Sequence, residues 1–160
     1  MKRVFVILLF ALFSVLAFSS SGIAQRNVTP AVDRDPLLEA DAKHNLDVAW
    51  QAYRLKKAYK GVIMRFDETF AAYPQFSKMD EFLYLAAMSS YYLSDNKGKQ
   101  KVDLTMGEKE KRFAPDRLRE DATVYFSMIA DKYPQSKYRE EALKTLAELK
   151  GKPINSTTSN

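Results

Sequence analysis

Tyr73-Pro74-Gln75 and Tyr133-Pro134-Gln135 are the same three residues written 60 positions apart, and their surroundings return in the same register. Before the first copy stand Val62, Phe66 and Thr69; before the second stand Ala122, Phe126 and Ile129. After them come Phe82, Leu83, Ala86 and Ala87 in one case, and Ala142, Leu143, Leu146 and Ala147 in the other. A fixed-period echo marks a repeat architecture, in which each unit buries its apolar face only against a neighbour. Apolar steps of three and four residues lie on one face of a helix. Proline disfavours helical geometry at the residue before it, so each phrase ends one helix and opens the way to another.

Five helices follow from this reading. Asp35 and Pro36 open the first, the aspartate accepting from unpaired backbone N–H groups and the proline forfeiting no bond at the first position. Its stripe is Leu38, Ala42, Leu46, Ala49, Trp50 and Tyr53, with Lys56 and Lys57 near the negative end of its dipole. The second spans about 58–72, buries Tyr59, Val62, Ile63, Phe66, Thr69 and Phe70, and stops at Pro74. Gly61 within it costs about 1 kcal/mol relative to alanine, and close approach of the first helix at Trp50 or Tyr53 is the expected reason. Ser77 with Asp80 has capping-box spacing for the third helix, which carries Phe82, Leu83, Ala86, Ala87 and Leu93 inward. The fourth runs from Pro115 to Lys132, with Leu118, Ala122, Tyr125, Phe126 and Ile129 inward. Ser136 leads into the fifth, 138–150, whose inner positions are Ala142, Leu143, Leu146, Ala147 and Leu149. Gly151 and Pro153 end it, and 151–160 is a polar, disordered tail. No stretch reads as a strand. The expected fold is all-α.

Between the third and fourth helices, residues 94–114 break the pattern. They hold Gly98, Gly107, several charges and only isolated apolar residues. So little apolar surface cannot repay ordering entropy, so a long mobile loop is expected, with at most a helical turn near 108–113.

The chain opens with a different kind of segment. Lys2 and Arg3 precede an apolar run over 4–18, and Gly22 and Ala24 supply the small residues of an export cleavage site. The run is shorter than the roughly 17–25 residues of a membrane span. An export signal over 1–24, cleaved after Ala24, is therefore expected, with a linker over 25–34 and the folded domain over 35–150. Removing 1–24 leaves 136 residues and a formal charge of +3. That mild excess is spread along the chain and forms no stripe suited to nucleic acid. The sequence has no cysteine, which removes disulfides, thiolate metal sites and thiol catalysis. The expected location is the periplasm or the exterior, with association to the outer membrane through partners. Asn27-Val28-Thr29 and Asn155-Ser156-Thr157 are glycosylation sequons that matter only in a eukaryotic secretory route.

Leu46, Ala49, Trp50, Tyr53, Val62, Phe66, Thr69 and Pro74 resemble one tetratricopeptide repeat, a helix–turn–helix of about 34 residues. Leu83, Ala86 and Ala87, then Ala122, Phe126, Ile129 and Pro134, resemble a second, with 94–114 inserted between its helices. Leu143, Leu146 and Ala147 begin a third, half-length unit that caps the array. The phrases Tyr73-Pro74-Gln75 and Tyr133-Pro134-Gln135-Ser136-Lys137-Tyr138 resemble the BamD-like group of exported outer-membrane assembly proteins. Against that group, this chain has no cysteine for a lipid and about half the repeats. The resemblance implies a right-handed helical-repeat scaffold in cell-envelope biogenesis.

Catalytic signatures are missing from the sequence. There is no glycine-rich phosphate loop, no HExxH and no Ser/His/Asp set, so neither an enzyme nor a cofactor is expected. His44 with Asp41 and Asp47 has spacing for a weak metal site, but an exposed helix face explains it better. Asp80-Glu81 and Glu140-Glu141 sit in first helical turns, where negative charge offsets the dipole.

A surface remains. In tetratricopeptide arrays the first helix of each pair lines the concave groove, which here presents His44, Asp47, Gln51, Arg54 and Leu55, then Glu81, Tyr84, Met88, Tyr91 and Tyr92. Tyrosines and a methionine beside an arginine suit a bound peptide or protein. The candidate partner-binding residues are Gln51, Arg54, Tyr84, Met88, Tyr91 and Tyr92, with core packing the competing role for Tyr84, Met88 and Tyr91. The alternative function is a cell-wall-associated spacer recruited through the basic loop 97–112.

Overall fold

The computed structural model describes residues 34–103, 105 and 107–151. The chain divides into two units, 1–33 and 34–160, and all that follows concerns the second. The expected export signal, linker and most of the tail lie outside the described residues.

Helix α1, Pro36–Gln51, starts as its sequence requires. The Asp35 carboxylate accepts the Leu37 N–H at 2.8 Å and the Leu38 N–H at 3.3 Å, with Pro36 in the first turn. Its C-terminal end is not regular α-helix. Ala52–Lys56 widens into one π-helical turn, closed by Lys57 in the left-handed region at φ 46. The Ala58 N–H donates back to the Ala52 carbonyl at 3.0 Å. Leu38, expected inward, is 40 % exposed, because no other described helix covers the first turn of α1.

Helices α2, Tyr59–Ala72, and α3, Met79–Ser94, are joined by the first Tyr-Pro-Gln phrase. Helix α4, Glu108–Lys111, is a single turn. Helices α5, Pro115–Lys132, and α6, Arg139–Gly151, are joined by the second phrase. Among the described residues there is no strand. The fold is an all-α, tetratricopeptide-like repeat of five long helices with one short turn.

The two phrases match bond for bond. Tyr73 N–H donates to the Thr69 carbonyl at 2.8 Å, and Tyr133 N–H to the Ile129 carbonyl at 3.1 Å. Phe76 donates to Tyr73 as Ser136 does to Tyr133, and Met79 to Phe76 as Arg139 does to Ser136. Both tyrosines leave the helical region, at φ −147 and φ −125, as residues before proline must. The chain at each turn is tied to the first turn of an earlier helix. Glu39 of α1 accepts the Ser77 N–H at 3.2 Å, and Asp80 of α3 accepts from Ser136 Oγ at 2.6 Å. The capping box expected at Ser77 and Asp80 is therefore not formed, because both groups are engaged elsewhere. Helix α3 starts after Lys78 without a side-chain cap.

Helix α3 is the axis of the domain. Every residue from Phe82 to Ser90 is buried, since α1 and α2 cover one side and α5 and α6 the other. A helix apolar on every side is one that other helices surround. Phe66 of α2 lies against Phe82 of α3 at 5.6 Å and Tyr125 of α5 at 4.9 Å between ring centroids, so one ring joins both repeats. Its register partner Phe126 is fully buried. Leu143 and Ala147 depart from the register: Leu83 and Ala87 are buried beneath α5, but Leu143 is 43 % exposed and Ala147 is exposed. Among the described residues no helix covers them.

Residues 94–114 are strapped to α2, where a mobile loop was expected. Lys99 N–H donates to the Lys57 carbonyl at 3.0 Å, and Gln100 accepts the Gly61 N–H at 3.2 Å, capping a helix whose own Ala58 cannot. Lys60 and Glu110 pair at 2.6 Å, and Arg112 pairs with Asp67. Phe113 completes a second small core with Tyr59, Ile63, Leu93 and Leu118. The segment thus has an anchor at each end of α2's outer face. Gly61 has no atom within 4 Å of where a Cβ would stand, so close helix approach is not its reason. Gly98 is the tight position: a Cβ there would lie 2.6 Å from the Tyr59 ring and 2.7 Å from the Lys57 carbonyl.

Candidate protein-docking face

The first helices of the units, α1, α3 and α6, are joined by a relay of aromatic donors and glutamates. Trp50 of α1 donates its indole N–H to Glu81 of α3 at 2.8 Å. One unit later, the Tyr84 hydroxyl of α3 lies beside the Glu141 carboxylate of α6. Trp50 and Tyr84 are 34 residues apart, and Glu81 and Glu141 are 60 apart, the spacings of the repeat itself. Tyr138, entering α6, lies beside Glu81 as well and stacks on Tyr84 with 4.4 Å between centroids. Burial, and then these carboxylates, hold the Tyr84 and Tyr138 hydroxyls protonated well above the ordinary tyrosine range.

The glutamate pairs thus do more than offset a helix dipole. Each second member faces an aromatic donor of the preceding unit, Glu81 the Trp50 indole and Glu141 the Tyr84 hydroxyl. Tyr138 and Glu141 were not among the sequence candidates, although the 60-residue register from Glu81 points straight at Glu141. What concealed them was the reading of α6 as a plain cap.

The six sequence candidates fall into different settings. Gln51 and Arg54 are exposed on α1 and its π-turn. The Arg54 guanidinium lies over the Trp50 ring, 4.0 Å from its centroid, and has no carboxylate partner among the described residues. Tyr84 and Met88 are core, 8 % and 6 % exposed, because α6 closes over α3 where an open groove was expected. Tyr92 is half-buried within an aromatic stack, its centroid 6.3 Å from Tyr53 and 5.5 Å from Tyr59. Tyr91 faces elsewhere, into a shallow cavity of about 310 Å³ walled by Val124, Leu149 and the Arg119–Asp95 pair. The structure brings Gln51 and Arg54 together at one rim, with Trp50, Glu81 and Tyr138 beside them. It does not bring Tyr91 to that rim.

Leu55, placed on the groove side by its spacing, is turned out by the π-turn and is 75 % exposed. His44, Asp41 and Asp47 are exposed. Among the described residues no group of three or more histidines or carboxylates could hold a metal ion. No described helix is long and apolar enough to cross a membrane.

The sequence pattern of one protein family, YfiO, described as outer membrane lipoprotein, matches residues 17–152. The chain belongs to this family. The match covers all six helices and both Tyr-Pro-Gln turns. It agrees with the BamD-like resemblance carried by those phrases. The 160 residues nevertheless contain no cysteine, the residue on which a lipoprotein carries its lipid. No curated protein and no solved structure matches the chain significantly.

Proposed function

We propose that this protein is an exported, non-enzymatic scaffold of the cell envelope that receives a segment of a protein partner at the face shared by α1, α3 and α6. The observation that carries the reading is the relay Trp50–Glu81 and Tyr84–Glu141 beneath an unpaired, stacked arginine. A binding face needs rigid aromatic floor and a few polar anchors held in place before the partner arrives. Trp50, Tyr138 and Glu81 are such a floor, with the Trp50–Glu81 hydrogen bond fixing it. Arg54 is such an anchor: its ring contact sets the plane of the guanidinium and leaves its fork of donors for a carboxylate or carbonyl. Membership of an outer membrane lipoprotein family supports the envelope as the setting.

The test uses affinity capture from envelope extract with Arg54→Glu, Gln51→Lys and a chain shortened within 95–103. Loss of one specific partner in the first two, with retention in the third, is expected. Retention in Arg54→Glu with loss in the shortened chain would transfer recruitment to the loop and end the groove reading.

A further inference from the structure

The end of the domain opposite the Tyr-Pro-Gln turns gathers cations around one exposed leucine. The π-turn turns Leu55 out to 75 % exposure, and Lys56 and Lys57 follow it, both exposed. The strap adds Lys99 and Lys101 from a different part of the sequence. It is brought there by the Lys99 N–H bond to the Lys57 carbonyl at 3.0 Å and by Gly98 lying against Tyr59. Acidic groups of the strap are otherwise engaged: Asp95 by Arg119 at 3.2 Å and Lys97 at 3.5 Å, Glu110 by Lys60, and Asp103 by Thr105 at 2.6 Å. Lys56, Lys57, Lys99 and Lys101 have no carboxylate partner among the described residues. Lys101 spends its ammonium only on the Asn96 carbonyl at 2.6 Å.

We propose that this end docks on a lipid bilayer carrying anionic headgroups, with Leu55 entering the acyl boundary and the four lysines lying among the phosphates. Charge complementarity fixes the sign of the surface, and Leu55 fixes its kind. A polyanionic protein or polymer would be satisfied by the lysines alone. A bilayer offers an anionic layer with apolar depth directly beneath it, which matches an exposed leucine at an end of the domain that also carries exposed lysines. One residue and four charges give reversible contact, not insertion. The Lys57 left-handed turn and the tight Gly98 contact hold the two halves of the patch together before any surface is met. The proposal does not depend on the partner face.

Residues 34–160 form their own compact unit with a closed core, so this unit can be tested alone. It is sedimented with vesicles of phosphatidylcholine, with or without phosphatidylglycerol. Binding is expected only with phosphatidylglycerol, falling about fivefold for each of Lys56→Gln, Lys57→Gln and Lys99→Gln. Leu55→Ser should weaken vesicle binding about tenfold, yet leave binding to heparin, a soluble polyanion, unchanged. Because the chain has no cysteine, Leu55→Cys carries a single environment-sensitive fluorophore whose emission should shift to the blue on phosphatidylglycerol vesicles. All these positions are exposed, and melting curves confirm that the variants fold. Equal binding to both vesicles, no effect of Leu55→Ser, or an unshifted fluorophore would each overturn the proposal; the last two would leave a polyanion-binding patch in its place.

Discussion

Gly98 shows how much one residue can set. Its φ of +91 already disfavours any side chain, and the space a Cβ would need is occupied by the Tyr59 ring and the Lys57 carbonyl. Gly107 has nearly the same φ, +93, but nothing within 4 Å of a Cβ. Gly107→Ala is therefore expected to cost on the order of 1–3 kcal/mol, the backbone term alone, since its φ of 93 and ψ of −168 suit glycine only. Gly98→Ala should cost clearly more, since backbone and ring must both move. Urea midpoints of the two variants measure the difference, and equal midpoints would mean that the strap does not lie on Tyr59. Neither role was legible in the sequence, where both glycines looked like loop punctuation. Chain direction through a loop depends on distant partners that no local pattern encodes. Gly61 misled in the opposite sense, because a helix glycine has several possible reasons and its neighbours do not say which holds.

At the scale of elements, the Tyr-Pro-Gln turns were readable because proline acts locally: it disfavours helical geometry at the residue before it, whatever lies around it. Helix starts were readable at Asp35–Pro36 for the same reason, but not at Ser77, whose backbone N–H is taken by a glutamate 38 residues away. Over 94–114 composition points to a mobile loop, because it counts apolar residues and misses single well-placed ones. Phe113 is 4 % exposed, and the Lys60–Glu110 pair is half-sheltered beside it. Hydrogen bonding to Lys60 holds the Glu110 carboxyl below its ordinary range. A carboxyl depressed in the folded state contributes stability above its unfolded pKa and loses it as pH falls through the folded value. Protection of the 95–114 amides, relative to their intrinsic exchange rate at each pH, should thus fall as acid protonates Glu110, and Glu110→Gln should show that lower protection already at neutral pH. Exchange that is fast at neutral pH in both forms would show the strap to be unpaired. The Phe126 ring belongs to the same scale, since it seals α5 onto α3 at full burial. Phe126→Asp is expected to cost on the order of 3–5 kcal/mol, through a lost ring and an unpaired buried charge. An unchanged melting temperature would mean that the repeat register is misassigned.

For the whole molecule, aromatic packing takes the place of the disulfides that a cysteine-free domain cannot form. Seven of the nine tyrosines have hydroxyls held above the ordinary range, in each case first by burial. For Tyr125, where Asp67 and Asp121 add to burial, the pKa is pushed up to about 12. A raised pKa gives stability that is complete below the unfolded value and is lost as pH rises through the folded one. Phenolate absorbance should therefore lag behind free tyrosine on alkaline titration and then rise together with loss of helical circular dichroism. Phenolate formation well before unfolding would contradict the packed aromatic core.

The repeat itself was legible because it is written twice. The proposed binding face was only partly so. Gln51 and Arg54 follow from helix periodicity on α1, whereas the burial of Tyr84 and Met88 depends on how closely α6 packs, which a half-length unit leaves undefined. The account therefore rests on the face that the relay builds, and a photo-crosslinker tests it most directly. The cysteine-free chain accepts a benzophenone at Gln51→Cys, at Lys137→Cys across the same face, and at Met64→Cys on the outer side of α2. The account predicts that the first two capture the same envelope protein and that Met64→Cys does not. Capture from Met64→Cys alone, or different proteins from the first two sites, would contradict it.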